Sequence, residues 1–567
     1  MVFDTQKFLP DALAARPLQD FPALLRQMQA QSAAVQEAVL LDILRRAQET
    51  QIGKKYGFAQ LDGAAAFRAR VPVTEYADYE VYMEPLRQGA ADVLFPGAAA
   101  SFSITTGTTG TPKLIPESGQ GALVQALVGN VRTAELLRIL PAIMQPQVKV
   151  LPIVNAAVFT KTEGGVPVGA SSGKAVGASA LAAKSVFPAA ALALGEMSTE
   201  AMDYLTLLCG VRERCVGGLV CNNLLHFKRL LDRLNGDPAP VLCDIREGTI
   251  SADLPERARA LLQETLRPDA ARADELEALY RKRGALTVGD LWPDFLGVCC
   301  WTSGSVGRGV RELRGIFPQG TVFVDWGYGA SEGKFNIPFA PGSAAGYPSV
   351  FGYFFEFLPL SGGEPLLLEE TEAGEKYELL LTSYSGYYRY NIHDIVKIGE
   401  DEHGWKTMEF YCKSAECLVL GGKRFYGGRL LELTCAYEDS TGDSLTLCQG
   451  RAAGDALDLV VEPAAADWKP EALRAFMEDA LAREGIRLGH IEEKPQGYRD
   501  SLFGLHVNLG KTVNQTKLPV FVKSQRAECG ARCGYGAGVE RCAALWGQAC
   551  RGTRRVMAGA LRGEICR

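Results

Sequence analysis

Residues 321–332 read TVFVDWGYGASE, an apolar run that passes directly into a turn rich in glycine. A short β-branched run bounded by turn residues indicates a buried strand. Similar runs occur earlier in the chain, at 148–153 and 297–301, and the segments between them, 199–236 and 253–283, have helical patterns. Strands that alternate with helices predict an α/β architecture.

The pattern continues to about residue 410. Strand-like segments lie close together at 350–358 and 377–383, and an N-terminal helix is expected to begin near Thr74, a candidate cap. A chain of 567 residues is too long for a single hydrophobic core. We therefore interpret residues 1–412 as one large, multilayer domain.

Four glycines within eight residues follow this domain. Residues 421–428 read GGKRFYGG, which could form the turn of a β-hairpin or a hinge between domains. Because a new βαββ-like pattern occupies 443–523, we favour a hinge and assign it to 413–424. Residues 425–523 are then predicted to form a small, mobile α+β domain.

The composition excludes several classes of protein. Sixty basic and 66 acidic side chains give a formal net charge of −6, which does not favour nucleic acid or an anionic membrane as a partner. We see neither a signal peptide nor a run of about 18 apolar residues. Most of the 15 cysteines are scattered as reduced thiols are, and the Cys-, Gly- and Arg-rich tail, 524–567, is predicted to be poorly ordered. We expect a cytoplasmic, monomeric enzyme.

A second glycine-rich segment, 103–113, reads SITTGTTGTPK. Its glycines let backbone N–H groups approach a polyphosphate, its threonines donate hydrogen bonds, and Lys113 supplies positive charge. The spacing is not that of a Walker A loop. A Gly/Thr run can also be an ordinary turn, but the repeated order of hydroxyls and glycines before a lysine favours a phosphate loop.

The turn after residue 325 has features of a base-binding site. Gly327 and Gly329 flank Tyr328, whose ring could stack on a flat base, and Glu332 is placed to hold a divalent cation. An aromatic residue between glycines is also common in turns with only a structural role.

A third motif, YRYNIHDIV at 388–396, carries one acidic residue inside an apolar segment. Asp394 could accept hydrogen bonds from both ribose hydroxyls of a nucleotide. The alternative is a structural aspartate that caps a turn or pairs with Arg389.

Together, these three motifs resemble those of the acyl-adenylate-forming enzymes, the superfamily of acyl-CoA ligases and firefly luciferase. The sequence is most similar to one branch, the Gretchen Hagen 3 family of acyl-acid amido synthetases, which conjugate plant hormones such as auxin and jasmonate to amino acids. The resemblance spans roughly residues 35–523. Its further matching segments are VPVTEYADY at 71–79, GGVP at 164–167 with the serines at 171–172, LLCGV at 207–211, LWP at 291–293 and VNQTKLP at 513–519.

Four positions depart from the family pattern. Thr-Pro precedes Lys113, His393 stands where a glycine is usual, Thr516 replaces an aromatic residue, and Val520 replaces an arginine. These differences leave the use of ATP intact and leave the acyl and amine specificity open.

The resemblance implies an ATP-dependent ligase with Mg²⁺ that activates a small carboxylic acid as an acyl-adenylate and transfers the acyl group to an amino acid. The alternatives are an acyl-CoA ligase with the same first half-reaction and a non-catalytic adenylate-binding homologue. The CoA ligases usually have a shorter hinge with an acidic residue, where this chain has Gly421-Gly422-Lys423.

The resemblance also implies roles for individual residues. The catalytic lysines are Lys113, Lys423 at the hinge, and Lys517 on the small domain. The nucleotide-binding residues are Thr105, Thr106, Gly107, Thr108, Thr109, Tyr328, Gly329, Ala330, Ser331 and Asp394. Glu332 holds Mg²⁺. Arg132, on a helix expected to border the acyl pocket, could pair with the carboxylate of the acyl substrate; the alternative is an exposed arginine on the helix surface.

Overall fold

The computed structural model describes residues 3–104, 113–153, 158, 160–169, 180–187, 198–508 and 517–522. The phosphate-loop residues at 105–109 and the tail at 524–567 therefore lie outside the described residues. The α-helices are α1 Pro10–Ala14, α2 Phe21–Gln29, α3 Ser32–Ala47, α4 Gln51–Tyr56, α5 Ala64–Arg70, α6 Tyr76–Arg87, α7 Gly119–Ile139, α8 Thr199–Arg212, α9 Leu224–Gly236, α10 Ala239–Glu247, α11 Glu256–Gln263, α12 Ala270–Arg283, α13 Val288–Leu291, α14 Gly304–Leu313, α15 Gly427–Thr441, α16 Pro470–Arg483 and α17 Tyr498–Asn508.

The strands form separate sheets. They are β1 Ser101–Ile104, β2 Leu114–Glu117, β3 Lys149–Ile153, β4 Thr160–Lys161, β5 Pro167–Gly169, β6 Val216–Cys221, β7 Gly297–Cys300, β8 Val322–Asp325, β9 Asn336–Pro338, β10 Gly346–Pro348, β11 Tyr353–Pro359, β12 Lys376–Ser383, β13 Tyr390–Glu400, β14 Lys406–Lys413, β15 Cys417–Leu420, β16 Lys423–Tyr426, β17 Leu445–Ala453, β18 Ala456–Pro463 and β19 Arg487–Glu493. A four-stranded sheet, in the order β2-β1-β5-β4, flanks the phosphate-loop segment.

A parallel sheet, in the order β3-β6-β7-β8, confirms the α/β prediction. Its strands β3, β7 and β8 are the three apolar runs recognised in the sequence. The helical pattern predicted over 199–236 is interrupted, because the fully buried strand β6 separates α8 from α9. Ligands of open α/β sheets bind beyond the carboxyl ends of the strands, and the turn that follows β8 lies there.

A six-stranded antiparallel sheet, in the order β11-β12-β13-β14-β10-β9, forms the second layer of the large domain. Inside it, Arg389 and Glu356 form an ion pair with Nη2–Oε1 at 2.9 Å, and neither side chain is more than 6% exposed. Arg389 Nη1 also donates to the carbonyls of Arg68 (2.9 Å) and Val71 (2.8 Å). These bonds tie the N-terminal helices to the sheet that carries the third motif.

The cap of α6 differs from the prediction. Its N-cap is Glu75, in a capping box with Asp78, rather than Thr74. Thr74 is buried instead, and its hydroxyl donates to the carbonyl of Tyr388 at 2.8 Å. The residue type suited a cap, but burial against β13 gives Thr74 a tertiary contact.

The small domain has its own hydrophobic core, from Leu420 to Val520. Its order is ββαβα rather than the predicted βαββ, with β18 paired antiparallel to β17 and parallel to β19. Before it, β15 and β16 form a hairpin whose turn is Gly421-Gly422, both with positive φ. The glycine pair therefore turns a hairpin, and we propose residues 414–416 as the connection between the domains.

Ion pairs join the two domains. Arg308 on α14 pairs with Glu438 on α15 at 3.0 Å, Arg311 pairs with Asp439, and Glu312 pairs with Arg499 on α17. In the part of the chain that the structure describes, no helix is both long and apolar enough to cross a membrane.

Candidate active site

The turn after β8, residues 325–332 and hereafter the site turn, is held by buried polar contacts. Asp325 accepts hydrogen bonds from the Thr302 amide (2.6 Å) and hydroxyl (2.7 Å) and from the Gly327 amide (2.6 Å). Burial raises the pKa of Asp325, and the hydrogen bonds from Thr302 oppose this shift. The turn therefore has a defined shape before any ligand binds.

Arg132 lies directly beneath the site turn. Its side chain is buried, and its Nε and Nη2 donate to the carbonyls of Asn336 (2.9 Å) and Tyr328 (2.7 Å). Burial lowers the pKa of Arg132 to about 10, and the nearby Asp325 opposes this shift. Both hydrogen bonds point to the protein rather than to a substrate carboxylate. We propose that Arg132 positions Tyr328, in place of the acyl-binding role inferred from the resemblance.

Gly327 allows this close packing. Its φ is +89°, and a Cβ atom there would lie 2.6 Å from the guanidinium of Arg132. Gly320 has the same φ of +89°, but a Cβ there would meet nothing within 4 Å. Both glycines have a backbone conformation that would be strained for any other residue, but only Gly327 has a close neighbour at the position of a Cβ atom.

Gly327→Ala is therefore expected to destabilise the large domain more than Gly320→Ala. Both substitutions cost about 1–2 kcal/mol of backbone strain. Only Gly327→Ala adds the overlap with Arg132, which costs roughly 1–3 kcal/mol more. Urea unfolding followed by tryptophan fluorescence measures both, and equal shifts in the two midpoints would contradict this account of the turn.

Two predicted nucleotide-binding residues contact each other. The Tyr328 hydroxyl donates to Asp394 Oδ2 at 2.7 Å, and both side chains are buried. Burial raises the pKa of Tyr328 well above its usual value, and Asp394 adds to this, so the hydroxyl remains a donor. Lys413 forms an ion pair with the other carboxylate oxygen, Oδ1. Each oxygen has a second lone pair, so the carboxylate keeps capacity to accept from a ribose.

Arg389 is not the partner of Asp394. It pairs with Glu356 inside the antiparallel sheet, so the structural alternative for Asp394 loses its named partner. The residue before it, His393, has φ +57°, which explains why a glycine suits this position. The His393 imidazole Nε2 lies 2.5 Å from Glu75 Oε2 at the surface.

Lys517 of the small domain reaches this group. Its Nζ lies 4.9 Å from the Trp301 ring centroid and 5.6 Å from that of Phe410. Burial lowers the pKa of Lys517, as does the charge of Lys413, and Asp394 opposes the shift. The segment that carries Lys517 is fixed to the small domain, since the Gly450 amide donates to the Val520 carbonyl at 2.9 Å.

Glu332 lies close enough to Asp394, Lys413 and Lys113 for their charges to act on its carboxyl. It is buried, and burial raises the pKa of its carboxyl, while the charges of Lys413 and Lys113 oppose the shift. The Nζ of Lys113 lies 4.8 Å from the ring centroid of Tyr76. The Glu332 carboxylate fits Mg²⁺, because Mg²⁺ typically takes one or two protein carboxylates together with substrate phosphates. Among the described residues, no cluster of three or more acidic, His or Cys side chains could hold a metal by itself.

The remaining predicted site residues lie in two places, the site turn and the hairpin of the small domain. Gly329, Ala330 and Ser331 are partly exposed at the rim of the site turn, with the Ala330 amide donating to the Gly333 carbonyl at 2.8 Å. Lys423 is exposed on the hairpin, and its Nζ donates to the Glu484 carbonyl at 2.8 Å. The described contacts of Lys423 are thus within the small domain and do not join it to Asp394.

Sequence reasoning missed three residues of this group: Lys413, Trp301 and Phe410. Lys413 is the cross-strand partner of Asp394 in the pairing of β13 with β14. The sequence had placed Lys413 at the start of the predicted hinge, 413–424, and gave no signal for its role. Trp301 was predicted within the strand at 297–301, and Phe410 lay at the expected end of the large domain, but neither was assigned to the site.

Comparison with known proteins identifies the family of this chain. A model of the GH3 family N-terminal domain matches residues 23–322, and a model of the GH3 family central domain matches residues 349–413. The chain belongs to the GH3 family. The resemblance to Gretchen Hagen 3 proteins is confirmed.

GH3 relatives with curated names cover most of the chain. A jasmonoyl–L-amino acid synthetase GH3.5 of Oryza sativa subsp. japonica is 25% identical over 562 residues, covering 88% of this chain and 93% of the relative. The jasmonoyl–L-amino acid synthetase JAR4 of Nicotiana attenuata is 24% identical and covers 73% of each chain.

A solved GH3 structure shows the same fold. The GH3.15 acyl acid amido synthetase aligns with a TM-score of 0.74 at 20% identity, covering 90% of this chain and 95% of that chain. The match confirms the predicted fold class of a large α/β domain followed by a smaller C-terminal domain.

Proposed function

We propose that this GH3 protein is an AMP-forming acyl-acid amido synthetase that uses ATP to join a small carboxylic acid to an amino acid. The observation that carries the proposal is the meeting of Lys517, Lys413, Asp394, Tyr328 and Glu332 beyond the carboxyl end of β8. Relatives named as amido synthetases support it.

The first half-reaction needs charge neutralisation more than acid–base chemistry. The substrate carboxylate oxygen attacks the α-phosphorus of ATP, a new P–O bond forms, and the bond to pyrophosphate breaks. The nucleophile is already anionic, so the enzyme has to orient it and to balance the phosphate charge. Lys113 and Lys517 supply that positive charge from the large and small domains.

The nucleotide is oriented by the buried group described above. Asp394 accepts from the ribose hydroxyls, while Lys413 and the Tyr328 hydroxyl hold its carboxylate in place. The site turn, with Gly329 and Ala330 at its rim, borders the adenine. Glu332 would hold Mg²⁺, which would supply positive charge to balance the phosphates.

In the second half-reaction, the amine nitrogen of an amino acid attacks the acyl carbon. The C–N bond forms, the bond from the acyl carbon to the phosphate oxygen breaks, and AMP leaves. The nitrogen attacks as the free amine, so the α-ammonium group first releases one proton to solvent, and the nitrogen releases a second proton to solvent as the amide forms.

The test is pyrophosphate exchange with a panel of carboxylic acids, followed by mass spectrometry of products formed with mixed amino acids or with CoA. We expect acid-dependent exchange and an amide product. An acyl-CoA product without amide would identify the protein as an acyl-CoA ligase. Failure of every acid to support exchange, in a folded protein that binds ATP, would indicate a non-catalytic homologue.

A further inference from the structure

A cavity lies between the two domains, next to the adenylation site. It is bordered by α14 of the large domain and by β17, α17 and residues 517–520 of the small domain, it has a volume of about 60 Å³, and it opens to solvent. Lys517 lines it and also faces Asp394 and Lys413. The cavity therefore leads to the place where the acyl-adenylate would form.

Two buried polar atoms at this cavity have no partner among the residues that the structure describes. One is a donor, Nη1 of Arg308, and the other is an acceptor, Oε1 of Gln449. Gln449 is only 1% exposed. A buried polar atom without a hydrogen bond costs about 1–3 kcal/mol, so native proteins rarely keep one without a reason.

Neighbouring contacts fix both side chains. Arg308 Nη2 donates to Glu438 Oε1 at 3.0 Å and to the Leu445 carbonyl, which orients the guanidinium. Gln449 Nε2 donates to the Pro519 carbonyl at 2.6 Å, which identifies Oε1 as the atom left to accept.

The charges around the cavity favour an anionic group. Arg308, Arg499 and Lys517 line it, and Glu312 is the acidic side chain among its described lining residues. Glu312 is paired with Arg499, and Arg308 is paired with Glu438 outside the cavity, so the lining itself has three basic side chains and one acidic one. Leu225, Val306 and Phe503 provide an apolar wall.

We propose that this cavity binds the acceptor amino acid, with its carboxylate on Arg308 Nη1 and its α-amino group on Gln449 Oε1. The assignment rests on the proposed function and adds to it the location of the second substrate. An α-amino acid carries one anionic acceptor and one amine donor on neighbouring atoms, which complements the two unpartnered groups. The apolar wall favours acceptors with aliphatic side chains.

The test compares leucine with 3-methylbutylamine, the same molecule without its carboxylate, as acceptors. The wild-type enzyme is expected to prefer leucine in kcat/KM. Arg308→Gln is expected to reduce that preference at least tenfold, the fold-change for loss of a hydrogen bond to a charged group. Each rate is measured against the pyrophosphate exchange rate of the same preparation, so that damage to adenylation does not enter the ratio.

The matched control is Arg311→Gln. Arg311 lies one turn along α14 and also pairs across the domains, with Asp439, but it does not line the cavity. It should leave the preference for leucine unchanged. Gln449→Met, which removes the acceptor while keeping the length of the side chain, should raise KM for leucine roughly tenfold.

Two results would overturn the assignment. If Arg308→Gln and Arg311→Gln keep the same preference for leucine over the amine, the carboxylate binds elsewhere and the proposed function stands. If the wild-type protein forms no amide with any amino acid although it adenylates an acid, the proposed function fails, and the acceptor site fails with it.

Discussion

Lys517→Ala is expected to slow adenylation by a factor of about 10²–10³, the cost of removing one preorganised charge from a site where negative charge develops. The small domain places this lysine against the rings of Trp301 and Phe410, near Asp394 and Lys413. Pyrophosphate exchange at saturating ATP and acid measures the effect.

Lys469→Ala is the control for Lys517→Ala. Lys469 is an exposed lysine of the same domain, at the N-terminus of α16, and its loss removes the same charge away from the site. Its exchange rate should match that of the wild type. Equal losses for the two variants would mean that Lys517 acts only through net charge or the stability of the small domain.

Asp394→Asn is expected to weaken ATP binding roughly 10- to 150-fold, which corresponds to about 1.5–3 kcal/mol for hydrogen bonds to a charged group. Asparagine keeps the size of the side chain and removes the charge that faces Lys413. Calorimetric titration with ATP, or with a non-hydrolysable analogue, gives the affinity.

Asp401→Asn provides a close comparison. Asp401 also accepts a hydrogen bond from a tyrosine hydroxyl, that of Tyr347 at 2.6 Å, but it follows the other end of β13. Its replacement should leave ATP affinity unchanged. If Asp394→Asn loses stability but binds ATP normally, then the Tyr328–Asp394–Lys413 contacts serve the fold alone.

The site turn was readable from the sequence because two local signals coincide there. An apolar β-branched strand, β8, runs into glycines that allow a tight turn, and neither signal depends on the rest of the fold. The strands β3 and β7 were also recognised from their local apolar runs. By contrast, β6 was merged with its flanking helices, because its run of six residues contains two glycines, Gly217 and Gly218.

Lys413 could not be assigned because cross-strand pairing is not local. Asp394 faces Lys413 and Ile395 faces Cys412, but Val396 then faces Phe410, so a bulge shifts the register. The contacts of Arg132 could not be predicted for a related reason. Helical periodicity indicates which face of a helix is buried. Only the packing of α7 under the site turn shows which groups Arg132 contacts.

The Arg389–Glu356 ion pair makes the nucleotide site inseparable from the N-terminal region. Cleavage or truncation that removed the chain through Val71 would take away two of the carbonyls that Arg389 Nη1 donates to and would open this buried charge to water. A fragment beginning at residue 103 would therefore retain the three motifs and lose the support of β13, the strand that bears Asp394. The N-terminal residues therefore cannot be removed without disturbing β13, and a shortened protein should keep them.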